Sequence, residues 1–123
     1  MIVEGICCGY AVDYLGYQYT KQGVEIGDNL KMYCGEMNER HEVGKILEMW
    51  VADDGVHFKA EMADEDEFLV SRFYPCAYGR VLEKVGKHIR RFRIDGINVL
   101  TKSACCSCRF SKPLPAERAN GKG

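Results

Sequence analysis

The sequence predicts a mainly β fold: a single antiparallel β-barrel or strongly curved sheet, with one short helix and a flexible C-terminal tail. Three observations carry that expectation. In the clearest hairpin, Val56, Phe58, Ala60 and Met62 alternate with His57, Lys59 and Glu61, the period-two pattern of a half-buried strand. Turn signals recur between apolar runs, as at Asp53-Asp54-Gly55 and Val85-Gly86. Only residues 63–73 space their apolar side chains as a helix does. With 123 residues, 46% hydrophobic and 11% aromatic, the chain suits one domain that buries about two-thirds of its unfolded surface. One β-rich domain over residues 1–110 and a polar tail over 111–123 are expected.

Taken in order, residues 2–12 combine Val, Ile, Cys and Tyr with Gly5 and Gly9, as in a bent strand lining a curved sheet. Residues 13–29 hold three glycines and closely spaced tyrosines, and read as an irregular loop suited to docking through Tyr14, Tyr17 and Tyr19. The hairpin over residues 43–62 follows. In residues 63–73, four acids crowd the first turn, where they complement the helix dipole, and Phe68, Leu69 and Phe73 share a face until Pro75 stops the helix. A second hairpin spans 76–94, Asp95-Gly96 reads as a break, and Ile97-Asn98-Val99-Leu100-Thr101 as a last strand. From Ser111 the polar tail is too poor in apolar residues to order on its own.

Charge excludes some functions. Seventeen Lys and Arg against eighteen Asp and Glu leave a formal charge of -1, so no global basic field is available for phosphates. The run Lys84, Lys87, His88, Arg90, Arg91, Arg93 splits between two strand faces with only Phe92 interleaved, which suits an edge guarded by charge and disfavours nucleic acid. No apolar run nears the length of a membrane-spanning helix, and the N-terminus lacks the features of a secretory signal. The seven cysteines are therefore expected to be mainly reduced thiols.

Two constellations could carry chemistry. His41, at the mouth of a strand, is the natural general base for Cys76 or Ser71, though a solvated loop histidine, a small buried thiol and a helix-surface hydroxyl are the ordinary alternatives. Cys105, Cys106 and Cys108, with Cys7, Cys8 and Cys34 or His41, supply zinc-ligand types. Adjacent cysteines on a strand would point to opposite faces, so no metal and no cofactor are expected.

The order of these pieces resembles the prohead maturation proteases of tailed bacteriophages, which are distantly related in fold to herpesvirus assemblins. The resemblance covers roughly residues 2–104. It rests on the opening strand Val3-Glu4-Gly5-Ile6-Cys7-Cys8-Gly9-Tyr10, on His41-Glu42-Val43-Gly44-Lys45-Ile46, and on the hairpin Asp53-Asp54-Gly55-Val56-His57-Phe58-Lys59-Ala60-Glu61. Ala77-Tyr78-Gly79-Arg80-Val81 and Ile97-Asn98-Val99-Leu100-Thr101-Lys102-Ser103-Ala104 complete it. It implies His41 as catalytic histidine, Cys76 as nucleophile with Ser71 as second placement, and Asp95 as the acidic member, with Gly96 standing where the usual glutamate aligns. The helix is shorter than the family's and no oxyanion loop is recognisable, which points to decayed catalysis. The leading expectation is a phage head protein, a decoration or minor capsid component that binds capsid or portal subunits in many copies. It would assemble in the host cytoplasm and remain in the virion. The alternatives are an active serine- or cysteine-type maturation endopeptidase and a small β-barrel adaptor.

Overall fold

A computed structural model describes residues 1–35, 39–103 and 105–111. The fold is mainly β with one short helix, as the alternation and turn signals require, and its sheet curls into a half-barrel. The strands are β1 (Ile2–Cys8), β2 (Gln18–Tyr19), β3 (Val24–Cys34), β4 (His41–Ala52), β5 (Gly55–Met62), β6 (Tyr74–Val85), β7 (His88–Leu100) and β8 (Arg109–Phe110). The helix α1 (Glu67–Arg72) follows a 3-10 turn at Asp64–Asp66, so the predicted helix forms as two short pieces.

Along the sheet, β6 pairs with β7, β2 and β3 follow one another end to end along β7, and β4, β5, β1 and β8 come after β3. β6 and β8 are thus the two ends of the sheet, and the curl packs β6 against both β1 and β8. Pro75 fits this position: it lacks an N–H, and β6 needs donors only on the side facing β7.

The core lies inside the curl. Val56, Phe58, Ala60 and Met62 of β5 meet Met32 of β3 and Phe92, Ile94, Ile97 and Val99 of β7. β5 has a strand on each side, so its inward row is almost fully buried.

Three features depart from the sequence expectation. β7 runs parallel to β2 and β3, making the sheet mixed rather than wholly antiparallel. Residues 13–29 are less irregular than expected, since they supply β2, a 3-10 turn and the start of β3. Tyr17 and Tyr19 pack against the core, Tyr19 edge-on to Phe92 with ring centroids 5.0 Å apart, leaving Tyr14 as the free tyrosine. Finally, the expected break at Asp95-Gly96 is a β-bulge within one continuous β7: Tyr78 pairs with Gly96 and Gly79 with Ile94, so Asp95 is the extra residue. The expected tail lies outside the described residues from position 112 onward.

Candidate functional site

The strand register fixes the predicted catalytic residues apart from one another. His41, the first residue of β4, is opposite Cys34 of β3; Cys34 is opposite Val99 of β7; Val99 is opposite Pro75 of β6, the neighbour of Cys76. Three strand steps separate them, about 14 Å along the sheet at ~4.8 Å per step, whereas a proton-transfer contact needs about 3 Å. Ser71 is exposed on α1 and donates its hydroxyl to the Phe68 carbonyl at 3.1 Å. Asp95, the bulge residue, is exposed and faces Arg93 with Oδ1 3.4 Å from Nε. His41, Cys76, Ser71 and Asp95 make no hydrogen bond to one another among the described residues, so the expected constellation does not assemble.

The place of the aligned glutamate is also occupied. A Cβ built on Gly96 would sit 2.6–2.7 Å from the ring atoms of Tyr78. That ring lies 6.4 Å from Tyr33, and the Arg40 guanidinium stands 4.4 Å over Tyr33 and 5.0 Å over Tyr78. An aromatic pair capped by a cation therefore fills the space a carboxylate side chain would enter.

Sulfur chemistry converges elsewhere. The curl brings Cys76 at the start of β6, Cys7 and Cys8 at the end of β1, and Cys105 and Cys108 before β8 around one cavity of about 260 Å³. Both β1 cysteines are buried because β1 bulges at Cys7: Ile6 pairs with His57 and Cys8 with Val56, so strict alternation fails there. Alternation likewise does not apply at residues 105–107, which form a turn rather than a strand. The relevant pair is Cys105 and Cys108, in C-x-x-C spacing, which attention to the adjacent Cys105 and Cys106 conceals.

Within this corner the thiols are in different states. Cys105 is partly exposed, and its sulfur accepts the Ser107 N–H at 3.3 Å. Cys108 is buried and lines the same cavity as Cys105 and Cys76. The hydrogen bond from Cys108, then the backbone donors, outweigh burial and bring the Cys105 thiol down from 9.0 to about 6. The same hydrogen bonds, given rather than received, hold the Cys108 thiol far above its ordinary range. Cys76 donates to Ser103 Oγ at 3.1 Å and is shifted down, chiefly by its hydrogen bond with Cys108. Burial pushes Cys8 up to about 12, and Cys7 upward as well.

The remaining histidines are surface groups. His57 stacks on Trp50 with centroids 5.5 Å apart and meets Asp54 at 2.6 Å, and His88 meets Thr20 at 2.8 Å. Among the described residues no group of three or more His, Cys, Asp or Glu is arranged to hold a metal ion, and no helix is long and apolar enough to cross a membrane. Comparison with known proteins gives no matching family model, no matching curated protein and no matching solved structure.

Proposed function

We propose that this chain is a head-associated structural protein of a tailed bacteriophage, built on a prohead-protease-like β framework, that docks on capsid or portal subunits instead of cleaving them. The observation that carries this reading is the pair of strands, β3 and β7, standing between His41 and Cys76. A base that far from its nucleophile cannot take its proton, and the ring of Tyr78 fills the aligned acid position. The pieces of sequence that resemble the protease family fall on successive elements: β1, the β4–β5 hairpin, β6 and the end of β7. A framework can persist after its chemistry is lost.

Docking has a candidate surface. Val12, Tyr14 and Leu15 stand 58%, 76% and 62% exposed, and the Leu15 carbonyl accepts a hydrogen bond from Lys87 Nζ at 2.9 Å, which ties this loop to the β6–β7 tip. Val85, 59% exposed, is at that tip. Apolar and aromatic residues from this loop and the adjoining hairpin tip suit the centre of a protein interface, with Lys84, Lys87 and Arg90 as its polar rim. The chain would assemble in the host cytoplasm and stay with the particle.

The test is composition of mature particles. Mass spectrometry should find the chain in many copies and intact through Gly123, and His41→Ala should leave processing of the capsid precursor unchanged. Loss of precursor cleavage in His41→Ala would restore the maturation-protease reading. Recovery with a cellular complex and never with particles would favour the adaptor.

A further inference from the structure

We propose that Cys105 and Cys108 form a thiol–disulfide exchange site, with Cys105 as the attacking sulfur, Cys108 as the resolving sulfur, and a small disulfide of the glutathione class as substrate. The inference is independent of the phage reading, because it rests on the corner where the two ends of the sheet meet.

Four observations point the same way. The C-x-x-C turn sets Cys105 and Cys108 three residues apart on the wall of the same cavity, as a pair that is to close into a disulfide requires. Exposure is asymmetric: Cys105 is reachable, whereas Cys108 is only 4% exposed, so an incoming disulfide meets Cys105 first. The Cys105 sulfur accepts the backbone N–H of Ser107 at 3.3 Å and lies close beside Gly9, where a Cβ would come within 3.2 Å of it. A neutral thiol is a weak acceptor, so a backbone donor aimed at the sulfur favours its thiolate. Lastly, the adjoining cavity is walled by Tyr19, Phe92 and Leu100, giving apolar surface beside the sulfur for the rest of a substrate.

Gly9 makes the close approach of this turn to β1 possible. A Cβ there would lie 2.7 Å from Ser107 Oγ and 3.2 Å from Cys105 Sγ, so any larger residue would push the turn away from the end of β1. Cys106, exposed and next in sequence, is a built-in control: its sulfur's one contact among the described residues is Ser107 Oγ at 4.0 Å.

The reaction balances without a further redox partner. The Cys105 thiolate attacks one sulfur of the substrate, the substrate S–S bond breaks, and the first leaving thiolate departs and takes up a proton. Cys108 then loses its proton and attacks the Cys105 sulfur of the mixed disulfide, expelling the second thiolate. Two protein thiols are oxidised to one disulfide, and one substrate disulfide is reduced to two thiols. The titratable groups that line the cavity with Cys105 are Cys7 and Cys8 of β1, Asp13, Tyr19 of β2, Cys76 and Tyr78 of β6, and Cys108.

Magnitudes set the test. At pH 6 a thiol ionising near 6 is thiolate about 500 times more often than one ionising at 9.0, and the weaker nucleophilicity of the acidic thiolate offsets about 20-fold of that. The full chain, mixed with oxidised glutathione at pH 6, should show one thiol reacting roughly 20-fold faster than the same thiols in urea. The product should be an internal Cys105–Cys108 disulfide. Cys105→Ser should remove the fast phase, Cys106→Ser should keep it, and Cys108→Ser should stop at a stable glutathione adduct on Cys105. Gly9→Ala keeps every thiol and should slow the fast phase, with circular dichroism confirming that it and the serine variants stay folded. A fast phase that survives in Cys105→Ser, or a disulfide joining Cys76 to Cys108 in its place, would overturn the assignment. So would thiols protected by stoichiometric zinc and released only by a chelator.

Discussion

The β4–β5 and β6–β7 hairpins both carry apolar residues on both strands, yet the sheet treats them differently. β5 lies between β4 and β1, and its inward row disappears into the core. β6 has β7 on one side and ends the sheet on the other, so Val81, Leu82 and Val85 remain exposed although they are as apolar as Val56 or Met62. Hydropathy chose strands in both hairpins; the number of neighbours chose which strand became core.

The sharpest way to break that comparison is to truncate one side chain in each. Phe58 is fully buried and meets Phe110 edge-on, with centroids 5.9 Å apart. Phe58→Ala should cost about 3–5 kcal/mol, a large share of the ~5–15 kcal/mol that holds a domain together, read as a lowered urea midpoint. Leu82→Ala on β6 should shift the midpoint by less than about 0.5 kcal/mol. Equal losses would mean that β6 is covered by something the isolated fold does not explain.

Gly79→Ala tests the β6–β7 contact itself. A Cβ at Gly79 would lie 1.8 Å from the Arg93 carbonyl oxygen, a backbone atom that cannot swing aside. The strands must part locally, at a cost of about 1–3 kcal/mol in the same urea titration. A neutral outcome would show that the β6 end of the hairpin is free to peel from β7.

These contrasts also explain what could be read from residues alone. The β4–β5 hairpin was legible because its turn, Asp53-Asp54-Gly55, and its alternation are both local. β3 was not, since its pairing with β7 is parallel and joins residues far apart in sequence, and the register shifts between Ile26 and Lys31. Asp95-Gly96 looked like a stop because a bulge and a break use the same residues. His41 and Cys76 were identifiable as chemically able side chains, but their separation is a property of the strand order, which no short motif encodes. The C-x-x-C spacing of Cys105 and Cys108 is in the sequence but is passed over when the adjacent Cys105 and Cys106 are weighed as strand residues; the approach of Cys76 and Gly9 to it depends on the curl.

The thiol corner gives a pH-dependent effect whose sign follows from the shifts. Cys105 ionises near 6 folded and near 9.0 unfolded, so its contribution is complete above about 9 and is lost as pH falls through 6. Cys8 is raised to about 12, so its contribution is complete below about 9 and is lost as pH rises toward 12. The melting temperature should therefore rise from pH 6 to pH 9 and fall beyond it. Cys105→Ser should flatten the rising limb and Cys8→Ala should ease the falling one; a rising limb unchanged in Cys105→Ser would remove the Cys105 thiolate as its cause.

The smallest expected change in stability is at the tip of the β6–β7 hairpin, and it is the one that bears most on function. Val85 is more than half exposed and precedes Gly86, whose φ of +59° makes the turn. The Val85 side chain is more exposed than buried and is not part of the core, so Val85→Ser should leave the urea midpoint within about 0.5 kcal/mol of the parent. If the tip is a docking surface, the same substitution combined with Tyr14→Ser should lower the copy number recovered in particles while the free protein stays as stable as before. Equal incorporation of parent and double variant would move the docking surface away from this tip, and the exposed residues of β6 would then be an edge protected only by its charges.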